Sequence, residues 1–443
     1  MTDTAKHAAG NQPFDPLAGV DENGTMAAKD YDSILLASFG GPEGQDDVIP
    51  FLRNVTAGRG IPDERLEEVA THYRANGGIS PINEQNRALL DALQTELAAR
   101  GIDLPVYWAN RNWAPYFPET LKQIYADGHR KMLTVATSAY SCYSSCRQYR
   151  EDLGMTLRST GLEGKLEADK IRQYFNHPGF VAPFAEGLSA ALAEIQAELA
   201  AAGRADGRLH IFFATHSIPT SDAEAAGPRP VAAELQEKTG LAPGEGNGAD
   251  VYSAQHLDVA EEILRRVPEA AGIEWSLVYQ SRSGAPHVPW LEPDINDAIE
   301  QLVAAPAGAN ANQREGEREG ERENHGEGAD AGPLAGVLVV PLGFVSDHME
   351  VVWDLDTEAK ETAEDLGLAF RRTPTPGTHP AFVSGLVDIV EERLGRREGR
   401  AAVGCFGAWN DVCAPNCCVK VMRDGTVRPT VAAFDSEVGV PTR

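Results

Sequence analysis

His216 lies in the run Ala214-Thr215-His216-Ser217-Ile218-Pro219, and Asp347, His348 and Glu350 lie in Pro341-Leu342-Gly343-Phe344-Val345-Ser346-Asp347-His348-Met349-Glu350. Imidazole and carboxylate groups together suit a borderline divalent metal such as Fe2+. They also suit proton transfer, because histidine titrates near neutral pH. A plainer reading stands beside each. One histidine at a strand end is usually satisfied by backbone, and Ser346 or Asp347 can N-cap a helix with Glu350 closing a capping box. Both readings of the second run can hold at once. Three more polar clusters are Ser38-Phe39-Gly40-Gly41-Pro42, Ser138-Ala139-Tyr140-Ser141-Cys142 and Gln280-Ser281-Arg282-Ser283-Gly284. The glycines of the first lack dinucleotide-site spacing. Gly77-Gly78-Ile79-Ser80-Pro81, taken alone, is only a turn before a helix.

Six cysteines form a second group: Cys142 and Cys146, then Cys405, Cys413, Cys417 and Cys418 in a Gly-, Asn- and Pro-containing tail. In a chain of this length they point to metal or redox chemistry rather than to a disulfide scaffold. Some can be inert small hydrophobes. Zinc and an iron–sulfur cluster both accept four thiolates.

Positioning these groups falls to short apolar runs that alternate with amphipathic stretches. Strands are expected at residues 34–39, 106–109, 132–137, 211–214, 277–279, 337–341 and 368–371, with a weaker one before Asn176-His177-Pro178. Helices are expected at residues 63–74, 83–100, 115–128, 178–202, 253–267, 292–303, 357–366 and 379–394. The alternation predicts an α/β fold of two doubly wound, Rossmann-like domains with parallel sheets. All five polar clusters directly follow predicted strands. Ligands of open parallel sheets bind at the carboxyl ends of the strands, so the clusters can line one cleft between the domains. The expected division is a disordered tail at 1–30, a first domain at 31–170 and a second at 171–372. A C-terminal helix at 373–396 packs back on the first domain, and a cysteine-rich tail fills 397–443. Residues 307–332, with Arg-Glu-Gly-Glu at Arg314 and Arg318, read as an unstructured acidic insertion. Residues 243–250 read as a Gly-rich loop.

The 443 residues are 42% hydrophobic, enough for a sizeable core. A formal charge of −27 argues against nucleic acid and anionic membrane surfaces as partners. No apolar run approaches the roughly 20 residues that span a bilayer. Residues 1–30 carry no apolar signal region, so a cytoplasmic location is the expectation.

Taken together, the His216 run, the Gln280–Gly284 cluster with Pro289-Trp290-Leu291, and the run ending in Glu350 resemble the ferrochelatase family, in its order and at roughly its spacing. The resemblance covers about residues 31–394, with the acidic insertion between. It implies an enzyme that inserts Fe2+ into a porphyrin held in the interdomain cleft. His216 and Glu350 would face each other across that cleft, binding the metal, accepting pyrrole protons, or both. Ser80 and Tyr149 match porphyrin-contacting positions, and Tyr73 and Arg59 match less specific ones near its acidic side chains. Asp347, His348, Ser281 and Arg282 would support the pair. Glu43 stands where some Gram-positive relatives carry a tyrosine that ligates iron axially; it could replace that ligand, or there is no protein ligand. The tail and loops are similar to the branch that metallates coproporphyrin III rather than protoporphyrin IX. Many ferrochelatases hold a [2Fe–2S] cluster on one internal and three C-terminal cysteines. The set assigned here is Cys146, Cys405, Cys413 and Cys418, with Cys142 and Cys417 as substitutes. Other haem-pathway enzymes are the expected partners for product hand-off. The rivals are a chelatase for another tetrapyrrole and a haem-binding or iron–sulfur sensor without turnover.

Overall fold

The computed structural model describes residues 19–58, 60–242, 248–283, 287–304, 332–420 and 425–434. Eight strands form two sheets: β1 (Ser33–Ser38), β2 (Val106–Asn110), β3 (Lys131–Ala136) and β4 (Glu167–Lys170), then β5 (Arg208–His216), β6 (Glu274–Gln280), β7 (Leu334–Val340) and β8 (Ala369–Arg372). The orders are β2-β1-β3-β4 and β6-β5-β7-β8, and every pairing is parallel. The two doubly wound α/β units expected from the alternation are present. In β1 and β7 the near-continuous apolar runs, Ser-Ile-Leu-Leu-Ala-Ser and Leu-Ala-Gly-Val-Leu-Val-Val, mark strands covered by helices on both faces.

Helix Pro178–Ala201 leaves the first sheet for the second, and helix Pro380–Leu394 packs against it and against helix Ile82–Ala99. Both His-Pro starts work the same way. His177 and His379 accept from the amides of Gly179 and Ala381 through Nδ1, at 3.1 and 3.2 Å, while proline fills the first turn. The two helices touch at glycine. A Cβ on Gly179 would lie 2.3 Å from the Ala381 carbonyl oxygen, so only glycine allows that approach.

Strand β4 is the weak strand of the sequence reading, and it lies further from Asn176 than expected. Its Glu-Ala-Asp-Lys sequence is polar yet buried, because partners come from distant chain. Lys29 reaches Asp169 at 2.9 Å, and Arg393 lies 3.4 Å from it. Residues 19–30, left in a disordered tail by the sequence reading, are therefore anchored at points: Met26 is 5% exposed and its amide donates to Asp411, while most of the others are exposed. Most of the expected insertion at 307–332 and residues 1–18 lie outside the described residues. Among those described, no helix is long and apolar enough to cross a membrane.

Candidate active site and cysteine cluster

β5 is a central strand, paired on both sides, and ends on His216. Glu350 enters from the first turn of helix Met349–Trp353, directly after β7. His216 Nε2 lies 3.6 Å from Glu350 Oε2, and His348 Nδ1 lies 3.8 Å from the same oxygen. His216 Nδ1 faces the Ser217 carbonyl, which can only accept. The Nδ1 atom therefore carries a proton, and Nε2 is the atom aimed at Glu350. Burial lowers the His216 pKa, but the Glu350 carboxylate outweighs it and pushes the imidazole up to about 8. Burial works the other way on Glu350, and its imidazole partner holds it down at about 2. His348 is lowered, by burial first.

The capping-box reading of this run fails. His348 itself occupies the N-cap position and makes no side-chain capping bond. Asp347 instead accepts from Arg372 at 3.2 Å and from Thr375 at 3.0 Å, which fixes the loop between β7 and Glu350. Its amide donates to Gln85 of the first half at 2.8 Å. Ser281, at φ 62°, donates to Asp354, and Gln280 donates to the Glu350 carbonyl at 3.0 Å. Arg282 turns away to Val288 and Glu292.

From the first half, Tyr73 on helix Asp63–Ala75 approaches the carboxylates. Burial raises its phenol, and Glu350 and Asp354 raise it further. Ser80 is buried, pressed against Gly41, where a Cβ would lie 2.7 Å from the serine Cβ. Tyr149 is also buried, with the Arg111 guanidinium 5.0 Å from its ring centre. Arg59 lies outside the described residues. Glu43 pairs with Arg87, both side chains being about half exposed. Sequence reasoning missed Asp354. Burial pushes it up to about 7, with Glu350 and Glu358 adding to the rise. Its spacing of four from Glu350 puts both on one helical face, and that signal was available.

The thiols separate into two groups. Cys146, Cys413, Cys417 and Cys418 pack with Ala433 in one buried cluster. The Sγ atoms of Cys417 and Cys418 are 3.8 Å apart, and the Gly227 amide donates to Cys418 Sγ at 3.2 Å. Cys413 is held well below the ordinary thiol value by hydrogen bonds from Cys146 and Cys417, with Arg150 and Lys170 adding positive charge. Lys170 is fully buried, and burial pulls it down to about 8. Cys405 corrects the sequence assignment: it is exposed, and its amide donates to Asp258 at 2.8 Å, apart from the other thiols. Cys417 packs with the buried thiols instead. Cys142 is buried with its sulfur 3.3 and 3.1 Å from the hydroxyls of Ser144 and Ser145. Four thiols beside two buried cations match the charge of an iron–sulfur group held by four thiolates. Among the described residues no group of three or more His, Cys, Asp or Glu side chains stands placed to hold a metal ion.

A sequence model of the family described as ferrochelatase matches residues 31–309 and 325–394. A protein from Leifsonia xyli named coproporphyrin III ferrochelatase is 54% identical over 411 residues, which is 91% of this chain and 95% of that one. Another of that name from Streptomyces coelicolor is 49% identical, over 93% and 98% of the two chains. A protein from Rhodopirellula baltica named ferrochelatase is 43% identical, over 91% and 96%. The chain belongs to the ferrochelatase family, whose members insert metal into porphyrins.

Proposed function

We propose that the protein inserts Fe2+ into coproporphyrin III, giving the iron complex and two protons. The observation that carries this reading is the His216–Glu350 pair at adjacent strand ends of the second sheet, in a chain 54% identical to a relative named for that reaction. Metallation removes two pyrrole protons, strips water from the iron and bends the ring. Neutral His216 supplies a lone pair at Nε2, and Glu350 supplies a carboxylate to replace water on the metal. A group near neutral pKa takes up a pyrrole proton efficiently, and Asp354, at about 7, sits one turn away to receive it. Ser80, Tyr149, Tyr73 and Arg59 are the proposed porphyrin contacts. Asp347, His348 and Ser281 support the pair, and Arg282, which pairs with Glu292, does not. A rigid cleft that binds the bent ring better than the flat one lowers the barrier. The cleft is proposed to lie between a first domain at 31–170 and a second at 171–372.

The proposed [2Fe–2S] ligands are Cys146, Cys413, Cys417 and Cys418, with Cys142 as the nearest spare thiol. Such a group would cross-link the tail to the loop after β3. A cytoplasmic site and hand-off of the product to another haem-pathway enzyme complete the proposal. The deciding experiment compares anaerobic Fe2+ insertion into coproporphyrin III and protoporphyrin IX side by side. A higher kcat/KM for coproporphyrin III is expected. Equal or better use of protoporphyrin IX would overturn the substrate assignment, and binding without turnover would favour a sensor.

A further inference from the structure

The main chain of His216 is held from behind by groups that the metal chemistry does not use. Tyr252, on helix Val251–Arg266, donates its hydroxyl to the His216 carbonyl at 2.9 Å. The Tyr252 hydroxyl oxygen also lies 2.8 Å from Thr215 Oγ1, which lies 2.9 Å from His256 Nε2. His256 Nδ1 is 2.7 Å from the Tyr252 carbonyl. A carbonyl only accepts, so His256 is protonated on Nδ1, and its Nε2 takes the Thr215 proton. Tyr252 then has one proton and two acceptors in reach, Thr215 Oγ1 and the His216 carbonyl. Burial keeps water from standing in for it: Thr215 and His256 are fully buried and Tyr252 is 5% exposed. Thr215 also touches the chain leading to Glu350, since a Cβ on Gly343 would lie 2.1 Å from its Oγ1. One hydroxyl pair thus sits against both strand ends that carry the metal-handling residues.

The chain continues into the first half. The His256 ring stacks on Tyr140, with centroids 3.6 Å apart and planes 13° from parallel. Gln255 exchanges two bonds with Ser141, accepting from its amide at 2.9 Å and donating to its hydroxyl at 3.1 Å. Tyr140 and Ser141 lead directly into Cys142 and Cys146. We propose that Tyr252 is a positioning residue for metal insertion, and that the His256–Tyr140 and Gln255–Ser141 contacts fasten its hold on His216 to the loop that bears Cys146. The proposal rests on the reading of His216 as the metal- and proton-handling group. It gives the cysteine-bearing loop a mechanical route to the active site without any cysteine touching the porphyrin.

Tyr252→Phe keeps the ring and removes the oxygen. One lost hydrogen bond to the His216 main chain should lower kcat for Fe2+ insertion by roughly three- to tenfold, with the KM values for porphyrin and iron unchanged within about twofold. Porphyrin binding, read by fluorescence quenching, should stay as in the wild type. Gln255→Leu should lower kcat less, about twofold, and the double variant should match Tyr252→Phe alone, because the two act along one path. Unchanged kcat in Tyr252→Phe overturns the positioning role. So does a lowered Tm with full turnover per folded molecule, which marks a purely structural bond. Additive losses in the double variant overturn the link to the cysteine loop. Wild-type protein that binds porphyrin but inserts no iron would instead overturn the reading of His216 and take this proposal with it.

Discussion

Replacing Glu350 with glutamine should shift the pH dependence of iron insertion towards acid. Protonated His216 has no lone pair at Nε2, so insertion by the free enzyme should rise as pH climbs through about 8. With that pKa roughly a tenth of the imidazole is neutral at pH 7 and nine tenths at pH 9, so kcat/KM should rise about tenfold across that range. The lift comes from the carboxylate 3.6 Å away. Raising an imidazole from 6.5 to about 8 is worth on the order of 2 kcal/mol. Glu350 is 47% exposed, so water screens part of this, and about 1 kcal/mol is a safer working figure. Glutamine keeps the shape and removes the charge, while burial still disfavours imidazolium. The Glu350→Gln profile should therefore be nearly flat above about pH 7, under a lower ceiling because a ligand is lost. The assay is anaerobic loss of porphyrin fluorescence at subsaturating iron, from pH 6 to 9, with Asp354→Asn as a control for the other group that titrates in this window. A rising limb that stays near pH 8 in Glu350→Gln would refute the pairing argument.

Three further outcomes are expected. His216→Ala should abolish insertion while porphyrin binding, followed by fluorescence quenching, persists; near-normal turnover would remove His216 from the mechanism. Protein purified without oxygen should be red-brown, with about two iron and two sulfide per chain. Cys413→Ser and Cys417→Ser should bleach it, while Cys405→Ser should keep its colour; the reverse pattern between Cys405 and Cys417 would refute the ligand set. Gly343→Ala drives a methyl group against the Thr215 hydroxyl. It should cost about 1–3 kcal/mol of stability, read as a lower midpoint in urea denaturation, and an unchanged midpoint would show that the loop yields freely.

The architecture was largely legible because buried parallel strands are written as apolar runs, and the polar clusters after them marked the strand ends. Strand β4 was faint because nothing local explains three charged residues in a strand. Their partners, Lys29 and Arg393, lie at opposite ends of the sequence. The same reason hid the order in residues 19–30. His216 and Glu350 were named from motif and residue type. The capping-box alternative failed because helix Met349–Trp353 starts later than the run suggests, which frees Asp347 to bind Arg372. Cysteine spacing alone could not separate Cys405 from Cys417. Burial separates them: one thiol lies on the surface beside Asp258, the other is buried among Cys146, Cys413 and Cys418. Tyr252 carries no motif, and its bond to the His216 carbonyl appears only once helix Val251–Arg266 is seen behind β5.

The distance along the chain between Cys146 and its partners also sets a timetable. Cys413, Cys417 and Cys418 follow it by roughly 270 residues, which a ribosome working at about 5–20 residues per second adds in roughly ten to sixty seconds. Throughout that interval Cys146, with Arg150 and Lys170 beside it, waits for the three tail thiols that pack against it in the finished chain. A chain cut short before its tail never receives them. In the proposed cluster arrangement the pocket is complete only in a chain that carries its tail, and iron and sulfide need be spent only there.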